Sequence, residues 1–271
     1  MNNSIVLIKK ECVQMLRDFK IIWLPIVFIF LGATQPIVAH YLPSILEALG
    51  GGQGITIDPN MAAQQGGEVL ASTLGSQFDQ LGLMILVISM MGTIQTDKAN
   101  GMLAFILTRP VTVTSYVGGK IVSNYLMVAF SVTIGYVTSY LYVNYLFTAV
   151  PFAQLITGLL FYLIWVLFIV SFTTMISAIF HSQGMIALIS IVFLLACRVI
   201  VGLNPIMDQL NPASMSKYAM ETLVTGGVNS NAIITGLLTI VWILFTLFVT
   251  YYWIASKKFN MNNRDEGNGF K

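Results

Sequence analysis

Two places in this sequence set charge against an apolar background. The first is Thr96-Asp97-Lys98-Ala99-Asn100-Gly101-Met102-Leu103-Ala104-Phe105-Ile106-Leu107-Thr108-Arg109-Pro110-Val111-Thr112, which closes at Gly119-Lys120. Asp97, Lys98, Arg109 and Lys120 rim a middle in which Met102, Leu103, Phe105, Ile106 and Leu107 cover most of one short helix. Arg109-Pro110 ends that helix, because the residue before a proline avoids helical backbone. A helix this apolar must be shielded from water, and patches of this kind mark contacts. Its chemistry is docking, on a partner or under the rest of the chain. The second place is Arg198, a cation inside an apolar run.

Catalytic chemistry finds no support. There is no Ser-His-Asp arrangement, no Cys/His metal spacing and no adjacent pair of carboxylates within an apolar run. Cys12 and Cys197 read as inert thiols, and Met84, Met90 and Met91 as core packing. No Gly-x-x-x-x-Gly-Lys-Ser/Thr loop is present to cradle a nucleotide phosphate. We therefore expect no catalytic, cofactor-binding or metal-binding residue in this chain.

The elements that position these residues follow from composition. Only 9% of the 271 residues are charged and 56% are hydrophobic, with a mean hydropathy of +0.82. A soluble chain carries roughly 25% charge, so an ordinary cytosolic enzyme, a disordered protein and a disulfide-rich secreted module are all excluded. A net charge of +2 gives no footing for nucleic acid. A bilayer core needs roughly 20 apolar residues as helix. Six runs qualify, at about 21–42, 78–96, 121–147, 152–180, 184–203 and 232–256. They are continuously apolar and do not alternate with period two, so the fold class is an all-α membrane protein and not a barrel.

Basic residues collect on the cytoplasmic face of membrane proteins. With the N-terminus placed there, all of the 13 basic residues except Arg198 and Lys217 lie inside. The sequence thus predicts six spans, both termini cytoplasmic, and an uncleaved N-terminus. Residues 1–20 alternate apolar (Ile5, Leu7, Ile8, Cys12, Met15, Leu16, Phe19) with charged positions (Lys9, Lys10, Glu11, Arg17, Asp18, Lys20). They read as an interfacial helix whose cations meet lipid phosphates, or as a plain extension of the first span. On the outer side, 43–77 is rich in Gly and Gln and reads as a loop, with a short helix starting at Asp58-Pro59. Residues 204–230 read as short helices and turns, and 259–271 as a disordered cytoplasmic tail.

Two groups within the spans admit two readings each. Arg198 is a substrate-path or dimer-interface charge, or it snorkels to the outer headgroups or pairs with Asp208 or Glu221. Ser123, Asn124, Ser131, Thr133, Thr138, Ser139 and Asn144 line a polar cavity, or bond back to their own helix and to neighbours. Asp79 stands at the outer end of the second span with no acid beside it.

The stretch from Asp97 to Lys120 also resembles the loop between spans two and three of ABC-2-type ABC transporter permeases. The matching residues are Asp97, Gly101, Leu103, Leu107, Pro110, Val111, Thr112, Gly119 and Lys120, while Ala104 stands where that family often has a glutamate. The resemblance implies a six-span permease with an N-terminal elbow helix, a cytoplasmic coupling helix and short outer helices before the last span. It further implies a separate ATP-binding subunit that carries ATP and Mg, and a second permease subunit. Contact with the ATPase then falls to Asp97, Gly101, Met102, Leu103, Phe105, Ile106, Leu107, Arg109 and Pro110. The turn at His181, Ser182 and Gln183 is the second contact. The resemblance makes the chain itself a non-catalytic subunit and an exporter component, and the Lys/Arg bias fits a prokaryotic plasma membrane. The competing readings are a non-transporting regulator or immunity scaffold, and a gradient-driven transporter. The last predicts buried acids or broken helices at the midplane.

Overall fold

The computed structural model describes residues 3–50, 65–103 and 112–268. Among these residues every regular element is helical and none is a strand. In chain order they are α1 (Asn3–Arg17), α2 (Lys20–Gly50), α3 (Gly66–Ala99), α4 (Val113–Leu146), α5 (Phe152–Ile179), α6 (Gln183–Ile200), α7 (Pro205–Leu210), α8 (Ser214–Thr225) and α9 (Ser230–Asn268). Six of them are long and apolar enough to cross a bilayer: α2, α3, α4, α5, α6 and α9. The chain is a multi-pass helical membrane protein. The α1 end of the bundle carries the α3–α4 and α5–α6 connections, and the far end carries α7 and α8.

The helix boundaries have local causes. α1 turns into α2 at Phe19, which adopts a left-handed φ of 54°. α4 begins at Val113 and not near Ile121, because the Thr112 hydroxyl accepts the Ser115 N–H at 3.3 Å and caps the helix ahead of Gly118-Gly119-Lys120. Asn204 caps α7 by accepting the Ile206 N–H, with Pro205 at its first position. Gly226, at φ 73°, closes α8.

Two expectations about the chain outside the apolar runs are corrected. Residues 66–77 read as part of a Gly- and Gln-rich loop, yet they are the first turns of α3. Here glycine supplies clearance and not flexibility. A Cβ at Gly66 would sit 2.1 Å from the Thr148 carbonyl oxygen, and one at Gly67 2.2 Å from that of Leu223. The proposed helix start at Asp58-Pro59 lies outside the described residues. The tail read as disordered instead continues α9 to Asn268, since no proline or glycine interrupts 257–266.

Packing centres on α5, whose Trp165, Val166, Ile169 and Val170 are almost wholly buried. α2 crosses α4 at a glycine pair. A Cβ on Gly32 would come within 2.1 Å of the Gly135 carbonyl oxygen, so the two backbones touch. The polar residues of α4 bond mainly within the bundle, and Asn124 also lines a small cleft beside Lys120. Ser123, Ser131, Thr133 and Thr138 each donate to the carbonyl four residues earlier. Asn124 donates likewise to Lys120, and Ser139 meets Thr73 across the α3–α4 contact.

Candidate functional site

Three helices meet at the α1 end through one lysine. Lys120, on the second turn of α4, places its Nζ 3.0 Å from Asp97 Oδ2 and 3.1 Å from Glu11 Oε1. Tyr116, one turn earlier on the same face of α4, donates its hydroxyl to Asp97 Oδ2 at 2.7 Å. Lys120, Asp97 and Glu11 are all buried. A buried charge is tolerated only when paired, so this clamp fixes how α1, α3 and α4 sit together.

The same end of α3 is tied to the α5–α6 connection. Lys98 donates to the Ala178 and Phe180 carbonyls, which the end of α5 leaves without helical partners. Gln95 donates through Nε2 to the His181 carbonyl at 2.9 Å and accepts from Gln183 Nε2 at 2.9 Å. The Ser177 hydroxyl accepts the N–H groups of Ile94 and Gln95 and donates to the Met91 carbonyl. The end of α3 and the α5–α6 connection, far apart in sequence, are therefore held together by hydrogen bonds.

The sequence-selected residues fall unevenly on this block. Asp97 is buried in the clamp, Gly101 turns the chain at φ 68°, and Met102 is exposed. Leu103 is only 5% exposed and packs into the chain's own core, so it anchors the loop and does not present it. His181, Ser182 and Gln183 are exposed beside Gln95. Phe105, Ile106, Leu107, Arg109 and Pro110 lie outside the described residues. The residue that sequence reasoning missed here is Glu11. Its signal was present, as an acid at a position flanked by the apolar Ile8, Cys12 and Met15 of an amphipathic helix.

Arg198 sits in a second polar cluster. Its Nε lies 2.7 Å from Asp79 Oδ2, and the Asp79 side chain has no exposed surface. The Ser216 hydroxyl donates to the same oxygen. Tyr162 and Trp165 lie against this carboxylate, although Oδ1 and the indole Nε1 make no bond of ordinary length. Asp79 belongs to a π-helical stretch of α3, Thr73–Gly82, a geometry that often accompanies functional positions.

The pairing of Arg198 with Asp208 or Glu221 does not occur. Both acids serve Lys217 instead, at 2.9 and 3.8 Å. Burial pushes the Asp208 carboxyl up, but the Gly202 N–H and Lys217 outweigh it and leave it below the usual carboxylate range. The hydrogen bond from Lys217 to Asp208 in turn raises the Lys217 ammonium, against a smaller opposing effect of burial. Among the described residues, no group of three or more His, Cys, Asp and Glu residues is placed to hold a metal.

Residues 5–258 match the family described as ABC-2 family transporter protein. The chain is also similar to YxlG of Bacillus subtilis (strain 168), described as an uncharacterized transmembrane protein. The two are 34% identical over 226 residues, which cover 83% of this chain and 87% of the relative.

Proposed function

The chain belongs to the ABC-2 transporter family and is a membrane permease of an ABC system; we propose that it is the permease of an exporter, driven by a separate ATP-binding subunit. In this reading two permease chains and two ATP-binding subunits assemble in a prokaryotic plasma membrane. The α1 end faces the cytoplasm in this reading, which the distribution of Lys and Arg supports. ATP and Mg belong to the partner subunit.

The observation that carries the reading is the block at the α1 end. Gln95 binds the α5–α6 connection, and Lys120 binds α1 and α3. A push on the segment after Gly101 reaches α3 and α4 directly, and reaches α5 and α6 through Gln95 and Lys98. Closure of the ATP-binding subunits supplies that push and switches the bundle between inward- and outward-open states.

The test is co-purification of the detergent-solubilised chain with its ATP-binding partner. Met102→Asp with Phe105→Asp is the informative variant, because Met102 is exposed whereas charge at Leu103 would disturb the core. A stoichiometric ATP-binding subunit, lost in this variant while membrane insertion persists, is the expected result. A partner retained in full by the variant refutes the contact. A chain that purifies with no ATP-binding protein at all refutes the coupled exporter and leaves a regulatory scaffold.

A further inference from the structure

The clamp and the coupling block leave one charged feature of the α1 end unused. A cleft of about 540 Å³ opens between α1 and the end of α3, lined by Lys9, Lys10, Arg17, Asp97, Asn100 and Met102 among others. Lys9 and Arg17 are exposed, and among the described residues neither forms an ion pair. Lys10 donates to the Met102 thioether at 3.1 Å, a weak acceptor for an ammonium. Asp97 is the one acid on this wall, and Lys120 and Tyr116 already engage its Oδ2. Asp18 and Lys20 line a separate, smaller cleft with Glu11 and Lys120. Three cations and the Asn100 amide therefore line a space that holds a single carboxylate, an excess of positive charge.

The remainder of α1 shows which anion. Leu16 and Phe19 are more than half exposed, as are Ile22 and Ile26 just beyond. Apolar side chains so bare, at the mouth of a transmembrane bundle, belong in acyl chains. That places Lys9, Lys10 and Arg17 at the depth of the headgroups. We propose that this cleft is a binding site for the phosphate of an anionic phospholipid. Lys9, Lys10 and Arg17 hold the phosphate oxygens, Asn100 adds an amide donor, and the acyl chains run along Leu16 and Phe19. Because Asn100 and Met102 open the α3–α4 connection, the bound headgroup braces the segment that the coupling reading assigns to the partner.

The experiment uses the full chain in nanodiscs of phosphatidylcholine with a minor fraction of phosphatidylglycerol, and reads the lipid retained after extraction by native mass spectrometry. The wild type is expected to retain phosphatidylglycerol in preference to phosphatidylcholine. Each basic residue near an anionic surface contributes roughly fivefold, so Lys9→Gln/Lys10→Gln/Arg17→Gln should lower that preference on the order of a hundredfold. Arg17→Gln alone should lower it about fivefold, which keeps the test open if the triple variant does not fold. Lys257→Gln/Lys258→Gln removes charge elsewhere and should leave the preference unchanged. Three results overturn the site. One is an equal preference in the triple variant. Another is loss of the preference on adding millimolar inorganic phosphate, which marks a site for a soluble anion. The third is unchanged lipid retention with loss of a co-purifying ATP-binding subunit, which marks a dock for an acidic protein segment.

Discussion

Neutralising Asp79 tests whether the second polar cluster is a true buried ion pair. Asp79→Asn keeps the shape and the bond from Ser216 but leaves Arg198 without a counter-charge, with only 18% of its side chain exposed. Removing one partner of a buried pair costs about 3–5 kcal/mol. Partial exposure lets the guanidinium reach toward polar surroundings, so the lower figure of about 3 kcal/mol applies here. Arg198→Met should cost a similar amount, because Asp79 then has no cation. Asp79→Leu/Arg198→Met removes both charges, and replacement of a buried pair by apolar groups is often near neutral. Against the singles Asp79→Leu and Arg198→Met, at about 3 kcal/mol each, a near-neutral double gives a coupling energy of about 6 kcal/mol. Reversible unfolding in mixed micelles, followed by circular dichroism, measures all of these. Single variants that cost less than about 1 kcal/mol, or a double equal to the sum of its parts, would refute the pair as described.

Three further outcomes follow from the packing. Gly135→Leu should cost about 1–3 kcal/mol or prevent folding, because a Cβ there already lies 2.4 Å from the Phe28 carbonyl oxygen. Gly118→Ala meets nothing within 4 Å inside α4 and should stabilise by about 0.5–1 kcal/mol, both read by thermal unfolding in detergent. Lys120→Met should destabilise by more than Glu11→Gln in the same assay, since it strands two carboxylates whereas Glu11→Gln leaves the Lys120–Asp97 pair intact. The Asp208–Lys217 pair at the far end predicts a pH window. The folded Asp208 carboxyl is lowered, so its contribution is present above its unfolded pKa and is lost as pH falls through the lower folded value. The folded Lys217 ammonium is raised, so its contribution is present below its unfolded pKa and is lost as pH rises through the higher folded value. Unfolding temperatures of wild type and Asp208→Asn should therefore converge at acid and at strongly alkaline pH, and differ most between them.

The spans were legible because a bilayer imposes a length and a hydropathy on each, and six apolar runs satisfy both. Their ends were less so. Gly66 and Gly67 carry the composition of a loop, and only the proximity of Thr148 and Leu223 reveals why glycine is needed in the helix. Asp79 and Arg198 each appear in the sequence as an isolated charge in or beside an apolar run. Nearness in sequence favoured Asp208 for Arg198, whereas the pair forms across two spans, and chain order does not encode which spans adjoin. Opposite sign and equal cost were the usable signals. The same applies to Glu11, which reads as one more polar position of α1 until Lys120 arrives from α4. Leu103 shows the opposite difficulty. It lies in an apolar stretch that reads as one docking face, yet its own chain already covers it.

The two clusters share α3, with Asp79 toward its far end and Asp97 at its α1 end, roughly 27 Å apart at helical rise. Apolar residues of similar volume often support as much stability as a buried pair. What a buried pair can add is register, because an apolar face slides where a charge cannot. This has a consequence at Cys197, which is half-buried next to Arg198 and whose carbonyl accepts from Asn211 at 2.6 Å. With Cys12→Ser as background, Cys197 is the sole thiol. Asp79→Leu/Arg198→Met should unfold at nearly the wild-type free energy and yet react several-fold faster with a maleimide at Cys197, because α6 no longer holds one position on α3 and α8. Equal labelling rates at equal stability would show that packing alone sets the register. The Asp79–Arg198 pair would then have to be retained for something it binds or moves.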